Sequence, residues 1–255
     1  MFKKLGLGLL IATTLAVAPA CGQDLTYVEV APIVMPNRAQ VVKGVRTAVV
    51  GIIKDRGFGS GTFIDSNGTV LTAKHVVFEP CQELIEKTAD GIEIQMLDLS
   101  GKDCEQKISE NIKIATLGGD RVPYGVSYYT KNGDLALLTP KEKYTPKNWM
   151  YLRENEPVVS EHVFSIGHPD GHKWNYGEGY FSFIDRNMGN VHLNQLEVNS
   201  SFGGSGAPII DKWGDLVGMV TGGKNNISSG YRYGYSHMLK DIRGFIKDWM
   251  GNDNR

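Results

Sequence analysis

Short β-rich runs, each closed off by Gly, Asn, Asp or Pro, are the feature that most restricts how this chain can fold. They fall at residues 48–53, 60–64, 69–73, 92–97, 112–117 and 135–138, and again at 158–166, 176–184, 191–198, 207–210, 216–221 and 231–235. Runs this short, rich in Val, Ile, Thr, Tyr and Phe, suit strands better than helices. The 31 glycines among 255 residues are spread singly and in pairs between them, as many tight turns require. Between the two series lies a polar stretch flanked and interrupted by Pro140, Pro146 and Pro157. The expected chain is therefore all-β, with six strands in residues 41–140, a crossover at 141–157 and six more strands in 158–236.

Two end segments break this pattern. In residues 237–251, Met238, Leu239, Ile242, Phe245, Ile246 and Trp249 recur at helical spacing, with Ser236 as the expected N-cap and Gly251 past the end. This predicts a C-terminal amphipathic helix whose apolar stripe packs on the second lobe. Residues 1–20 carry Lys3 and Lys4, an uncharged stretch and then Ala18-Pro19-Ala20, the pattern of an export signal. The apolar stretch is shorter than the roughly 20 residues of a spanning helix and is interrupted by Gly6, Gly8 and Pro19. Residues 21–40 read as an arm leading into the fold.

Hydrophobic residues at 41% and charged residues at 22% exclude a disordered chain and a coiled coil. A net charge of −1, without a Lys/Arg cluster, leaves no basic field for a phosphate backbone, so nucleic acid is excluded as a partner. The chain has three cysteines, Cys21, Cys81 and Cys104, an odd number for an oxidising compartment. Cys21 follows the small-residue triplet and resembles a bacterial lipoprotein processing site, although Ala18 stands where such sites usually carry Leu. Lipidation there and simple secretion are both open, and such an anchor is the sole membrane contact expected. Cys81 and Cys104 either close a loop, worth about 3 kcal/mol by chain entropy, or are two separate thiols.

Three segments carry residues with chemical potential. Ser205 lies in Gly203-Gly204-Ser205-Gly206-Ala207-Pro208, where glycines let successive backbone N–H groups converge beside the hydroxyl. A serine needs a base and such donors to act as a nucleophile; alone, the motif is equally a Gly-rich turn. His75 ends the apolar run Val70-Leu71-Thr72-Ala73-Lys74, either as a buried structural histidine or as that base. Asp134 follows Asn132-Gly133 at the head of an apolar run. It either makes the turn or offers a carboxylate that an imidazole N–H would satisfy. His168 and His172 are separated by Pro169 and Gly171, and no zinc-ligand pattern includes them. His162, His192 and His237 show no partner along the sequence.

The order His75, Asp134, Ser205 and the sequence around each resemble the trypsin-like serine proteases, and among them the bacterial HtrA/Deg-type secreted endopeptidases. Gly59 to Asp65 with Val70 to Val77 resembles the strand pair leading to the family's histidine. Gly133 to Leu138 resembles its aspartate segment, Ser165 to Pro169 the entry to its second barrel, and Gly203 to Pro208 with Asp215 to Gly222 its nucleophile loop and following strand. The PDZ module usual in HtrA-type proteases has no counterpart in this sequence.

The resemblance implies a chymotrypsin-like fold, two six-stranded antiparallel β-barrels with the site between them. It implies Ser205 as nucleophile, His75 as base, Asp134 as its orienter, and the N–H groups of Gly203 and Ser205 as the oxyanion hole. Thr221, Gly222 and Gly223 would pair with an extended polypeptide substrate, and Asn199 would floor a neutral specificity pocket. Gly204 and Ala207 depart from the family, which usually has Asp or Asn just before the nucleophile and Gly two residues after it. The implied protein is an exported, periplasmic or secreted serine endopeptidase needing no cofactor and no metal. A protease-like protein that binds extended polypeptides without turnover is the alternative.

Overall fold

The computed structural model describes residues 36–54, 57–78, 83–87, 93–97, 107–168, 173–188, 191–198, 204–226 and 231–252. The chain enters through helix α1 (Arg38–Val45), capped by the side chain of Asn37, which accepts the Gln40 N–H. This helix straddles the boundary between the expected arm and the first lobe. The first lobe then runs through β1 (Val49–Lys54), β2 (Gly57–Phe63), β3 (Val70–Ala73), the short helix α2 (Lys74–Val77), β4 (Glu83–Lys87), β5 (Glu93–Leu97), β6 (Ile112–Ala115), β7 (Arg121–Tyr129) and β8 (Leu135–Pro140). The second contains β9 (His162–Gly167), β10 (Asn175–Asn187), β11 (His192–Val198), β12 (Pro208–Ile210), β13 (Leu216–Asn226) and β14 (Tyr231–His237), followed by α3 (Leu239–Asn252).

Two closed antiparallel barrels result, ordered β1-β2-β3-β8-β7-β6 and β10-β11-β14-β13-β12-β9. The protein thus has the expected all-β, chymotrypsin-like architecture with a C-terminal helix. All six runs of the second series become barrel strands. In the first series, the run at 92–97 becomes β5, which among the described residues pairs with β4 in a separate two-stranded sheet, and β7 takes the sixth barrel place. Sequence patterning missed β7 because Pro123 and Gly125 interrupt it, and proline within a run argues against a strand.

The crossover is laced to both lobes by its backbone. Met150 N–H donates to Phe63 O at 2.8 Å, Leu216 N–H to Tyr151 O at 2.8 Å and Arg153 N–H to Leu216 O at 3.1 Å. Arg153 also pairs with Glu161 and reaches the buried Asp211. The larger apolar core is continuous across the seam, running from Val50, Ile52, Leu71 and Leu137 to Ile210, Leu216 and Met219, and on to Ile242 and Phe245 of α3. A second cluster, with Val163, Phe181, Leu196 and Val217, fills the second barrel.

Helix α3 differs from its expectation in two respects. Its N-cap is Met238, whose carbonyl accepts the N–H groups of Asp241 and Ile242, while the Ser236 hydroxyl is buried without a hydrogen-bond partner. Its apolar stripe also reaches the first lobe, where Phe245 stacks on Tyr128 with ring centroids 5.2 Å apart. The helix therefore packs across the seam rather than on the second lobe alone. Among the described residues, no helix is long and apolar enough to cross a membrane.

Candidate active site

The pairing of β3 with β8 brings two of the three predicted side chains together. Ala73 stands opposite Leu135 in that ladder, so α2, which begins at the next residue, starts beside Asp134. Lys74 N–H donates to the Asp134 carbonyl at 3.1 Å. His75 then binds the carboxylate twice: its backbone N–H donates to Oδ1 at 2.9 Å, and its Nδ1 donates to Oδ2 at 2.8 Å. Fixing Nδ1 as the donor leaves Nε2 as the acceptor of the neutral ring. Both side chains keep about a fifth of their surface exposed, 22% for His75 and 21% for Asp134, so the pair opens to solvent on one side.

Thr221 of β13 donates its hydroxyl to the same Asp134 Oδ2. Burial pushes the Asp134 carboxyl upward, but the His75 hydrogen bond and charge, the Thr221 hydroxyl and the His75 amide outweigh it and hold the group below the usual carboxylate range. It is thus an anion at neutral pH, aimed at the imidazole.

Ser205 sits in a tight turn between Gly204, with φ 73°, and Gly206, with φ 85°. Positive φ is inexpensive only for glycine, which explains both residues. The turn is pinned by three backbone hydrogen bonds, one to Ser60 and two to Val220. Ser60 N–H donates to Ser205 O at 2.9 Å, Gly206 N–H donates to Val220 O at 2.8 Å and Val220 N–H donates to Ala207 O at 2.8 Å. Strand β13 therefore holds the Ser205 turn through Val220 and Asp134 through the next residue, Thr221. Among the described residues, no hydrogen bond joins the Ser205 hydroxyl to the His75 ring.

Gly222 and Gly223 continue β13 past Thr221. Its partner β12 is matched to residues 216–219 only, so this edge of β13 beyond Met219 has no strand partner among the described residues. Asn199, Gly203, Cys21, Cys81 and Cys104 lie outside the described residues.

Sequence reasoning missed three polar groups near the site. The Thr221 hydroxyl was read only as part of a substrate-binding strand. His168 was read only as outside any zinc-ligand pattern and His237 as showing no partner, yet both are buried, at 6% exposure each. His168 contacts Ser60, which bonds the Ser205 turn. His237, at the end of β14, faces Asp134 and His75; burial lowers its pKa, so it stays neutral. Sequence spacing carries no signal for these contacts, which arise only when the lobes meet. Among the described residues, no group of His, Cys, Asp and Glu side chains could hold a metal ion.

The chain is 29% identical over 168 residues to a probable periplasmic serine endoprotease, DegP-like, of Pseudomonas putida, covering 64% of this chain and 29% of that protein. It is 26% identical over 176 residues to the putative protease Do-like 14 of Arabidopsis thaliana, covering 66% and 36%. The chain thus spans about a third of the length of these curated relatives. Its fold resembles that of the serine endoprotease from Yersinia pestis, with a TM-score of 0.61, 21% identity and coverage of 87% of this chain and 69% of that one. It also resembles Rv3671c from Mycobacterium tuberculosis H37Rv in the inactive form of a serine-to-alanine mutant, with a TM-score of 0.59, 18% identity and coverage of 87% and 98%. The sequence profile of the trypsin-like peptidase domain matches residues 59–219, from within β2, ahead of His75, to β13, beyond Ser205. Because that match takes in more than half of the chain, the protein belongs to the trypsin-like peptidase family.

Proposed function

We propose that this protein is an exported serine endopeptidase that cleaves polypeptides through an acyl-enzyme intermediate. The observation carrying the reading is the His75 Nδ1 to Asp134 Oδ2 hydrogen bond of 2.8 Å. It fixes the tautomer in which Nε2 is free to take a proton. Ser205 Oγ attacks the scissile carbonyl carbon as its proton passes to His75 Nε2, and Asp134 stabilises the imidazolium so formed. The N–H groups of Gly203 and Ser205 receive the oxyanion. Collapse transfers the His75 proton to the leaving amine, and water then releases the acyl group by the reverse path. In this reading the unpaired Thr221–Gly223 edge receives the substrate as an added strand and Asn199 floors its primary pocket. Hydrogen bonds between nucleophile and base commonly tighten only when substrate is bound, which accommodates the lack of a Ser205–His75 hydrogen bond among the described residues.

Export is supported by the segment at residues 1–20 and by the periplasmic designation of the Pseudomonas relatives. In that setting Cys81 and Cys104 would be bonded, and Cys21 would be the site of any lipid anchor.

A fluorophosphonate probe tests the reading, because it reports on an activated serine whatever the natural substrate. Covalent labelling of the folded protein, lost in Ser205→Ala and reduced at least about a hundredfold in His75→Ala, is the expected result. No labelling of the folded wild type would favour the second reading, a protease-like protein that binds extended polypeptides. The absence, among the described residues, of a hydrogen bond from the Ser205 hydroxyl to the His75 ring is the observation on its side.

A further inference from the structure

We infer that Ser60 and His168, on opposite lobes, form a polar bridge that positions the nucleophile turn; the inference rests on the reading of Ser205 as the nucleophile. Ser60 of β2 is fully buried, and its polar groups reach Ser205, Thr72 and His168. Its N–H donates to the Ser205 carbonyl at 2.9 Å, and its own carbonyl accepts the Thr72 hydroxyl at 2.7 Å. Its hydroxyl accepts the His168 N–H at 2.9 Å and lies 3.4 Å from His168 Nδ1. One residue of the first lobe thus joins the strand leading to His75, the Ser205 turn and the end of β9.

The His168 ring is wedged at the seam. It meets Trp174 edge-on at 4.6 Å, and Trp174 Nε1 donates across the seam to Val49 O at 3.1 Å. The ring also lies over Gly51, where an added Cβ would come within 3.2 Å of Nε2. A Cβ on Gly204 would meet Ser60 Oγ at 3.1 Å and the His168 carbonyl at 3.4 Å, so the residue before the nucleophile rests directly on this bridge.

Among the described residues, His168 Nε2 is buried with no hydrogen-bond partner. Leaving a buried polar atom unpaired is unfavourable, and an apolar ring of similar size would fill the same slot without that penalty. What an apolar ring cannot do is add a second partner for the Ser60 hydroxyl beside the backbone N–H of residue 168. The imidazole therefore helps to fix Ser60 in orientation, and the Ser60 N–H fixes the peptide that follows Ser205. Both residues contact the turn from within the protein rather than from the β13 edge. Their loss should slow the chemical step more than it weakens probe binding.

The test uses the full chain and saturation kinetics with a fluorophosphonate, which separate the maximal labelling rate from the half-saturating concentration. Ser60→Ala and His168→Phe are expected to lower the maximal rate about tenfold while the half-saturating concentration stays within about twofold. His168→Asn, which returns a hydrogen-bonding group beside Ser60, is expected to recover most of the loss even where its melting temperature is no higher than that of His168→Phe. Rates equal to wild type in folded Ser60→Ala and His168→Phe overturn the inference. A loss that follows melting temperature alone, with Asn no better than Phe, does the same. If His168→Phe does not fold, Ser60→Ala decides by itself. A wild type that folds but does not label overturns the functional reading first, and this inference with it.

Discussion

Gly206 lies so close to Ser60 that a Cβ built on it would sit 2.0 Å from the Ser60 carbonyl oxygen. The same atom would be 2.4 Å from Thr72 Oγ1, so backbone and side chain both close the space. Gly206→Ala must displace β2 or open the turn, and its φ of 85° adds strain for any residue with a side chain. The expected loss is about 3 kcal/mol or more, measurable by urea unfolding, together with loss of fluorophosphonate labelling. A variant as stable as wild type would show that the turn does not pack as described.

The Thr221 hydroxyl shares Asp134 Oδ2 with His75. Thr221→Val keeps the shape and removes one of the interactions that hold this carboxylate as an anion. A reduction of about tenfold in labelling rate is expected, with Thr221→Ser close to wild type. Equal rates in Val and Ser variants would remove the hydroxyl from the account.

The relation of stability to pH follows from His168. Burial, and then the nearby Lys173 charge, lower its pKa from 6.5 to about 4 in the folded protein. Between these values the unfolded chain binds a proton that the folded one does not. Stability is therefore complete above the unfolded pKa and falls as pH drops towards 4, by up to about 3 kcal/mol from this group. Asp134, with its pKa also depressed in the fold, adds a loss at still lower pH, below the ordinary carboxylate range. The urea midpoint should fall less between neutral and mildly acid pH in His168→Phe than in wild type. Identical slopes would show that the ring titrates as if exposed.

Gly244 gives the opposite case to Gly206. It lies inside α3, and a Cβ there would meet nothing within 4 Å. Gly244→Ala is expected to stabilise the protein by about 0.5–1 kcal/mol through helix propensity, seen as a higher melting temperature with labelling unchanged. A lower melting temperature would mean that this face of α3 is covered.

How much of this was legible along the chain depended on the range of the interaction. The second barrel was readable because each strand is a local run bounded by turn residues; β10 even alternates buried and exposed positions over part of its length. Strand β7 was hidden by Pro123 and Gly125. Helix α1 was hidden because Arg38, Gln40 and Lys43 leave it only a weak apolar face. Within the site, His75 and Asp134 stood out because each sits at the end of an apolar run. The Thr221 hydroxyl and the Ser60–His168 bridge left no such trace, since they connect residues 87 and 108 positions apart and exist only once the barrels meet.

The core that runs through both barrels into Phe245 and its Tyr128 partner has a bearing on biosynthesis. Every barrel strand leaves the ribosome before α3 does, so the seam between the lobes lacks part of its packing until translation has passed residue 245. A nascent chain halted before that point holds both barrels without the helix that packs across their seam. Closure of the seam between the barrels therefore waits on the helix that follows the last strand.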